Sequence, residues 1–192
     1  MTTIVGIAGS LRTASFNAAL LRAAGGMMPP GSILEIASIK DIPLYDGDVE
    51  ANDGIPDPVA QLKDRITAAD GLLLATPEYN NGIPGVFKNA VDWLSRPPAD
   101  IPRVFGNRPV AVIGASPGGF GTILAQDAWL PVLRTLGMQP WFGGRLLVSR
   151  AASVFNENGD MVDEKMKGQL QRFLHGFVDF VGSPGAPVAG RG

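Results

Sequence analysis

Apolar residues fall along the chain in short blocks of two kinds. Ile4-Val5-Gly6-Ile7-Ala8, Leu72-Leu73-Leu74-Ala75 and Val110-Ala111-Val112-Ile113 are continuous runs without strict alternation. Such runs mark strands buried on both faces. Ile33, Leu34, Ile36 and Ile39 predict a second strand, and Arg145-Leu146-Leu147-Val148 a fifth. Between the runs the period changes to that of a helix. Leu20, Leu21, Ala24 and Met27 define a helix over 16–28, stopped by Pro29-Pro30-Gly31. Leu62, Ile66 and Ala69 define another, with Asp57-Pro58 as its cap and first-turn proline. Residues 84–94 read as a helix closed by Pro97-Pro98. Residues 123–136 read as one that Pro131 should kink or shorten. The last helix, about 163–181, carries Leu170, Phe173, Leu174, Phe177 and Val181 on one stripe. The stretch 41–58, rich in Asp, Gly and Pro, reads as a long loop.

Strands alternating with helices imply right-handed βαβ units and a parallel sheet covered on both faces. Five strands at this length predict a three-layer, flavodoxin-like α/β fold with strand order 2-1-3-4-5. The expected domain covers 1–181, and 182–192 reads as a disordered Gly/Pro/Ala tail. The 192 residues suit one domain, and 45% hydrophobic against 18% charged is enough apolar surface for a core. With 16 Lys and Arg against 18 Asp and Glu, a broad grip on nucleic acid is disfavoured. The chain has no cysteine, which removes thiolate metal sites, disulfides and a cysteine nucleophile. His175 is the sole histidine, which excludes a multi-histidine metal centre. No run is long enough to cross a bilayer, and the N-terminus lacks a basic leader. No membrane insertion is expected, and the expected compartment is the cytoplasm.

In such sheets ligands bind outside the carboxyl ends of the strands, which directs attention to three loops. The first, 9–17, joins a buried strand to a helix start. It offers Ser10, Ser15 and Asn17 as short polar groups and Arg12 as a positive fork. Free N–H groups at the helix start add a partial positive charge, the makings of a phosphate site. The plainer alternative is that Ser15 only caps the helix and Arg12 is solvated. The second loop holds Pro77-Glu78-Tyr79-Asn80-Asn81-Gly82. Asn81-Gly82 marks a turn, but an exposed Tyr79 between polar neighbours suits a flat heteroaromatic ring. Lys88 and Asp92 form an expected surface pair. The third loop runs from Gly114 through Ser116, Gly118, Gly119 and Phe120 to Thr122. Its four glycines permit close approach to a ligand or simply make a flexible connection; a place directly beside the first loop is expected. An anion cradle next to a ring slot fits flavin mononucleotide (FMN). The Gly-x-Gly-x-x-Gly turn of dinucleotide folds and the Gly-Lys-Ser/Thr of phosphate-binding loops are both absent.

At these residues the chain resembles the NAD(P)H-dependent FMN reductase family, most nearly its bacterial chromate and quinone reductases. The carriers are Gly9-Ser10-Leu11-Arg12 with Ser15-Phe16-Asn17, and Pro77-Glu78-Tyr79-Asn80 with Pro84-Gly85, Lys88-Asn89 and Asp92-Trp93. Ile42-Pro43-Leu44-Tyr45-Asp46 belongs to the same likeness. The resemblance implies non-covalent FMN, its phosphate met by Ser10, Arg12, Ser15, Phe16 and Asn17. Its ring would lie against Pro77, Glu78, Tyr79, Asn80 and Asn81, closed by Ser116, Gly118 and Gly119. It further implies NADPH or NADH as co-substrate and a small-molecule electron acceptor, with a homodimer or homotetramer whose interface lies near the helix starting at Pro84. Hydride would pass by a ping-pong route to a quinone, free flavin, azo compound or chromate. No side chain need act as catalyst, because the flavin carries the chemistry; Tyr79 would shape the acceptor slot. Arg103, Arg108 and Arg145 are candidates for a nucleotide phosphate. His175, flanked by Leu174 and Phe177, reads as structural, and Trp93 and Trp141 as core or interface. The rival functions are a flavodoxin-like electron carrier, a phospho-acceptor domain and a hydrolase on the same scaffold.

Overall fold

The computed structural model describes residues 1–183. The elements are β1 (Thr2–Ala8), α1 (Phe16–Gly25), β2 (Ser32–Ala37), α2 (Gly47–Asp53), α3 (Asp57–Ala68), β3 (Gly71–Ala75), α4 (Gly85–Leu94), α5 (Ile101–Val104), β4 (Pro109–Ala115), α6 (Ile123–Thr135), β5 (Gln139–Pro140), β6 (Leu147–Val148), α7 (Ala151–Val154) and α8 (Glu164–Gly182). The sheet is parallel in the order β2-β1-β3-β4-β5, the flavodoxin-like arrangement expected. Most of the proposed tail lies outside the described residues, although Gly182 ends α8.

The continuous apolar runs become the central strands because both faces are covered. Val5, Ile7, Leu72 and Leu74 pack with α3, α4 and α6 through Leu62, Ile66, Trp93 and Trp129. Ile4, Leu73, Ala111 and Ile113 pack with α1 and α8 through Leu20, Leu21, Phe173 and Phe177. β3 stands between β1 and β4, so the third loop is one strand removed from the first, not directly beside it.

Four expectations are corrected. The fifth position is shared by two short strands. Gln139 and Pro140 pair with Pro109 and Val110, while Leu147 and Val148 pair with Gly114 and Ala115. The chain leaves the edge between them where Trp141 tucks against Phe173 and Phe177, at centroid distances of 4.9 and 5.8 Å. Pro131 does not shorten α6. Pro131 and Asp127, the residue whose carbonyl loses its donor, are both exposed, so that carbonyl is on the side open to water. At α3 it is Pro56 that occupies the cap position, so Asp57 and Pro58 both sit inside the first turn. The 41–58 loop contains α2, a short helix capped by Asp46 with no buried residue.

That helix is held from outside. The Tyr45 N–H donates to Asn89 Oδ1 at 2.8 Å, and Asn89 Nδ2 and Trp93 Nε1 both donate to the Pro43 carbonyl, at 2.8 and 3.0 Å. The Tyr45 hydroxyl and Arg96 Nε both donate to Glu50 Oε2, at 2.9 and 2.8 Å. Residues 43–50 are thus strapped onto α4. Further along, buried Lys63 donates to the Arg96 carbonyl at 2.5 Å and pairs with Asp100.

The Arg96 guanidinium, with help from the Tyr45 hydroxyl, holds the Glu50 carboxyl below the usual carboxylate range. A depressed folded pKa contributes stability above the unfolded value, about 4.3, that is lost as pH falls through the folded one. Urea unfolding should therefore show wild type above Glu50→Gln at neutral pH. The gap should close on acidification to about pH 3, where Glu50 is protonated in both states.

Candidate active site

All three loops singled out from the sequence lie at the carboxyl edge of β1, β3 and β4, and hydrogen bonds knit them together. The Gly9 N–H donates to the Ala75 carbonyl at 2.9 Å, and Thr76 N–H to Ile113 carbonyl at 2.8 Å, extending the strand ladder into the loops. Gly9 is required by packing: a Cβ there would stand 2.7 Å from Phe87 Cγ. At Gly114 a Cβ would run into the Thr122 side chain and the Thr76 carbonyl. The closest neighbours at both positions are parts of the chain itself.

In the first loop Ser15 caps α1, its Oγ accepting from the Ala18 N–H at 3.2 Å. The capping alternative is therefore correct as geometry, and it leaves the Ser15 hydroxyl proton available. The N–H groups of Phe16 and Asn17 take no partner among the described residues. Arg12 is exposed and in no ion pair among them. Asn17 is almost completely buried and its amide is committed: Nδ2 donates to the Ala115 carbonyl and Oδ1 accepts from Ala115 N–H, each at 2.9 Å. Its side chain ties the first loop to the end of β4 past the intervening strand.

The second loop turns at Asn80-Asn81, not Asn81-Gly82. Both residues have positive φ, 50° and 62°, and Tyr79 and Gly82 exchange backbone hydrogen bonds at 3.2 and 3.1 Å. Two central residues with positive φ are the signature of a tight type I′ hairpin, which asparagine tolerates. Tyr79 is 46% exposed, and its hydroxyl lies 3.4 Å from Ser10 Oγ. Pro77 is buried below it, while Asn80 and Asn81 are exposed. Glu78 is neither free nor facing solvent alone. Its Oε2 accepts from the N–H groups of Leu124 and Ala125 at 2.9 and 3.0 Å. Thr122, at the cap position of α6, makes no side-chain cap bond. A carboxylate from the neighbouring loop fills that role, in favourable register with the helix dipole.

The third loop is pinned at its base. Ser116 Oγ donates to the Gly121 carbonyl at 2.6 Å, and the N–H groups of Arg150 and Ala151 donate to the Gly118 and Ser116 carbonyls at 2.9 and 3.0 Å. The turn after β6 thus buttresses Ser116 and Gly118, a role that no sequence signal announced. Residues 155–159 also face the first loop across a groove of about 500 Å³ lined by Arg12, Ser15, Phe16 and Arg22. Phe16 stacks on Phe155 there at 6.0 Å.

Several other candidates lie elsewhere. Arg108 precedes β4 and donates to the Val104 carbonyl at 2.7 Å, and Arg103 pairs with Asp64 and Asp100. Both belong to the opposite edge of the sheet. Arg145 lines a separate groove with Trp141 and Phe142. His175 is exposed on α8, its Nδ1 2.9 Å from the Gln171 carbonyl. Lys88 and Asp92 do pair, at 2.6 Å. Among the described residues there is no cluster of groups suited to a metal ion, and no helix long and apolar enough to cross a membrane.

The strand order and the loop cluster at its switch point define a flavodoxin-like protein. Comparison with known proteins narrows that class. The sequence profile of the NADPH-dependent FMN reductases matches residues 2–153, and the chain belongs to that family. It is 43% identical over 171 residues to an NAD(P)H-dependent FMN reductase of Pseudomonas aeruginosa, covering 89% of this chain and 90% of that one. It is 35% identical over 175 residues to a 2-hydroxy-1,4-benzoquinone reductase of a Burkholderia species, covering 91% and 93%. Among solved structures, the flavoenzyme NAD(P)H:acceptor oxidoreductase FerB of Paracoccus denitrificans superposes with a TM-score of 0.84 at 34% identity, over 94% of this chain and 97% of that one. The protein is accordingly an NAD(P)H-dependent flavin oxidoreductase with FMN as its cofactor.

The Glu78 cap has a measurable consequence. Glu78→Ala should lower the urea-unfolding stability by about 1 kcal/mol, and Glu78→Gln, which retains an acceptor oxygen, should recover most of it.

Proposed function

We propose that the enzyme passes hydride equivalents from NADPH or NADH to a quinone, with free flavin, azo compounds and chromate as further acceptors, by a ping-pong route. The observation that carries this reading is the meeting of two unlike surfaces within one hydrogen-bond length. Tyr79, an exposed aromatic, reaches Ser10, which belongs to a cationic loop with unpartnered N–H groups. An anion with a flat ring attached satisfies both halves. The residues fit FMN, which supplies the two-electron chemistry, accepting hydride from the nicotinamide and returning electrons to the oxidant. The names of the Burkholderia and Pseudomonas relatives support quinone and flavin as acceptors.

Each residue's part follows from its chemistry. Arg12, the Ser10 and Ser15 hydroxyls and the N–H groups of Phe16 and Asn17 bind the phosphate as charge-assisted donors. The Asn17 side chain keeps that cradle at a fixed distance from β4. Pro77 to Asn81 form the wall against the ring, and the hairpin at Asn80-Asn81 holds Tyr79 outward at its rim. Ser116, Gly118 and Gly119 would close the other side. The Ser116 N–H is committed to the Val148 carbonyl at 2.9 Å, so the N–H groups of Gly118 and Gly119 are the ones that would stabilise charge on the ring. Glu78 orients this wall through α6 and transfers no proton. His175 and Trp93 take no part. In this reading donor and acceptor would use the same exposed face of the ring in turn, as a ping-pong scheme requires.

The reading also includes a homodimer or homotetramer with α4 at its interface. The groove between α4 and α6, lined by Val91, Ile101, Pro131 and Val132 with the Lys88–Asp92 pair beside them, offers an apolar floor and a charged rim for such a contact. It places the enzyme in the cytoplasm, where its nicotinamide donors are found, with no nucleic-acid partner.

An anaerobic visible spectrum tests the core of the proposal. The purified, FMN-loaded protein should bleach on addition of NADPH or NADH and regain its flavin band when a quinone is added. A flavin band that neither nucleotide bleaches would instead assign the protein to electron carriage. Separately, Arg12→Ala should weaken FMN binding roughly 10- to 100-fold, the range of one charged hydrogen bond. Calorimetric titration of the apoprotein measures this, and thermal stability should stay unchanged because Arg12 is exposed.

A further inference from the structure

We infer that Phe120 is a specificity-determining residue, a ring that folds over flat aromatic acceptors and selects fused two-ring oxidants over small or non-aromatic ones. The inference rests on the proposed FMN site, since the acceptor must lie where the flavin ring is presented. Phe120 is 83% exposed, among the most exposed large apolar side chains of the described residues. A phenylalanine held in water forgoes roughly 1.5–3 kcal/mol of burial, so its place needs a reason.

Local geometry supplies one. Phe120 lies at the tip of the third loop, between Gly119 and Gly121. The base of that loop is fixed by the Ser116–Gly121, Arg150–Gly118 and Ala151–Ser116 hydrogen bonds. A Cβ added at Gly119 would meet nothing within 4 Å, so the backbone beside Phe120 has open space around it. Gly121, at φ 65°, takes a conformation that L-residues rarely adopt. The result is a large ring on a glycine-flanked tip above a rigid base.

The placement is also specific. Glu78 bonds the N–H groups of Leu124 and Ala125. That joint ties the residue before Tyr79 to the helix turn that follows Phe120. Glu78 thus joins the two segments that carry the exposed aromatics Tyr79 and Phe120, with Leu124, 46% exposed, at the same helix start. A planar guest resting on the flavin meets Tyr79 on one side and Phe120 on the other. Offset or edge contacts between rings add to simple burial, and the gain grows with the guest's aromatic area. A small oxidant such as ferricyanide gains nothing from them.

The test uses FMN-loaded wild type, Phe120→Ala and Phe120→Trp. Affinity for naphthalene-2-sulfonate, a redox-inert two-ring probe, is read from the perturbation of the flavin absorbance, and is independent of turnover. The expected result is about tenfold weaker probe binding in Phe120→Ala, recovered in Phe120→Trp. KM for a naphthoquinone should rise in parallel and by more than KM for NAD(P)H, whose nicotinamide is a single ring, with the ferricyanide rate unchanged. Equal probe affinity in all three proteins would overturn the inference while leaving the flavin site intact. A change in oligomeric state of Phe120→Ala by light scattering would overturn it too, by assigning the ring to a subunit contact. Wild type that fails to hold FMN would overturn the site and the inference together.

Discussion

The buried amide of Asn17 is the joint on which the site depends. One side chain satisfies both the N–H and the carbonyl of Ala115, and it does so inside the core. Without it, two backbone groups at the end of β4 would be buried without partners, at about 1–3 kcal/mol each. The pair also sets a distance. It fixes the first turn of α1 relative to the start of the third loop, although β3 stands between their strands. The phosphate cradle and the far wall of the ring slot are thereby one rigid unit.

Glu78 acts similarly at a second point. Two of the helices that begin at the carboxyl edge, α1 and α6, meet opposite fates. α6 has its exposed donors answered from within the protein by Glu78, whereas α1 keeps two first-turn N–H groups and a nearby arginine unanswered. Of these two starts, only that of α1 is open to an anion. Selectivity for where the phosphate lands comes as much from the filled start as from the open one.

The alternation of buried runs and helical stripes made the layers, the strand order and the three loops legible in the sequence. Burial on both faces leaves few other ways to read Leu72-Leu73-Leu74-Ala75. What escaped were features created by contacts distant along the chain. Glu78 carries no local sign that its partners lie at residues 124 and 125, and Asn17 looked like a phosphate ligand because its tie to Ala115 spans the fold. Residues 43–50 read as loop, since α2 buries nothing and is held only by Asn89, Trp93 and Arg96. The split of the fifth strand followed from a single bulky indole, whose packing against α8 no periodicity announces. Pro131 misled in the other direction: a rule about helix interiors weakens where the lost bond faces water.

The divided fifth position also bears on how the molecule behaves among copies of itself at high concentration. A parallel sheet ends in two edges, and a long bare edge invites another chain to add a strand. Here one edge consists of two two-residue pieces separated by the Trp141 excursion. At the other, β2, the Arg65 guanidinium occupies the Ile36 carbonyl at 3.1 Å and sits near Glu35, placing charge along the rim. The first edge is broken in the middle, and the row of groups along β2 is interrupted at Ile36. An indole at one end of the sheet and a guanidinium at the other thus interrupt the surface that an added strand would need.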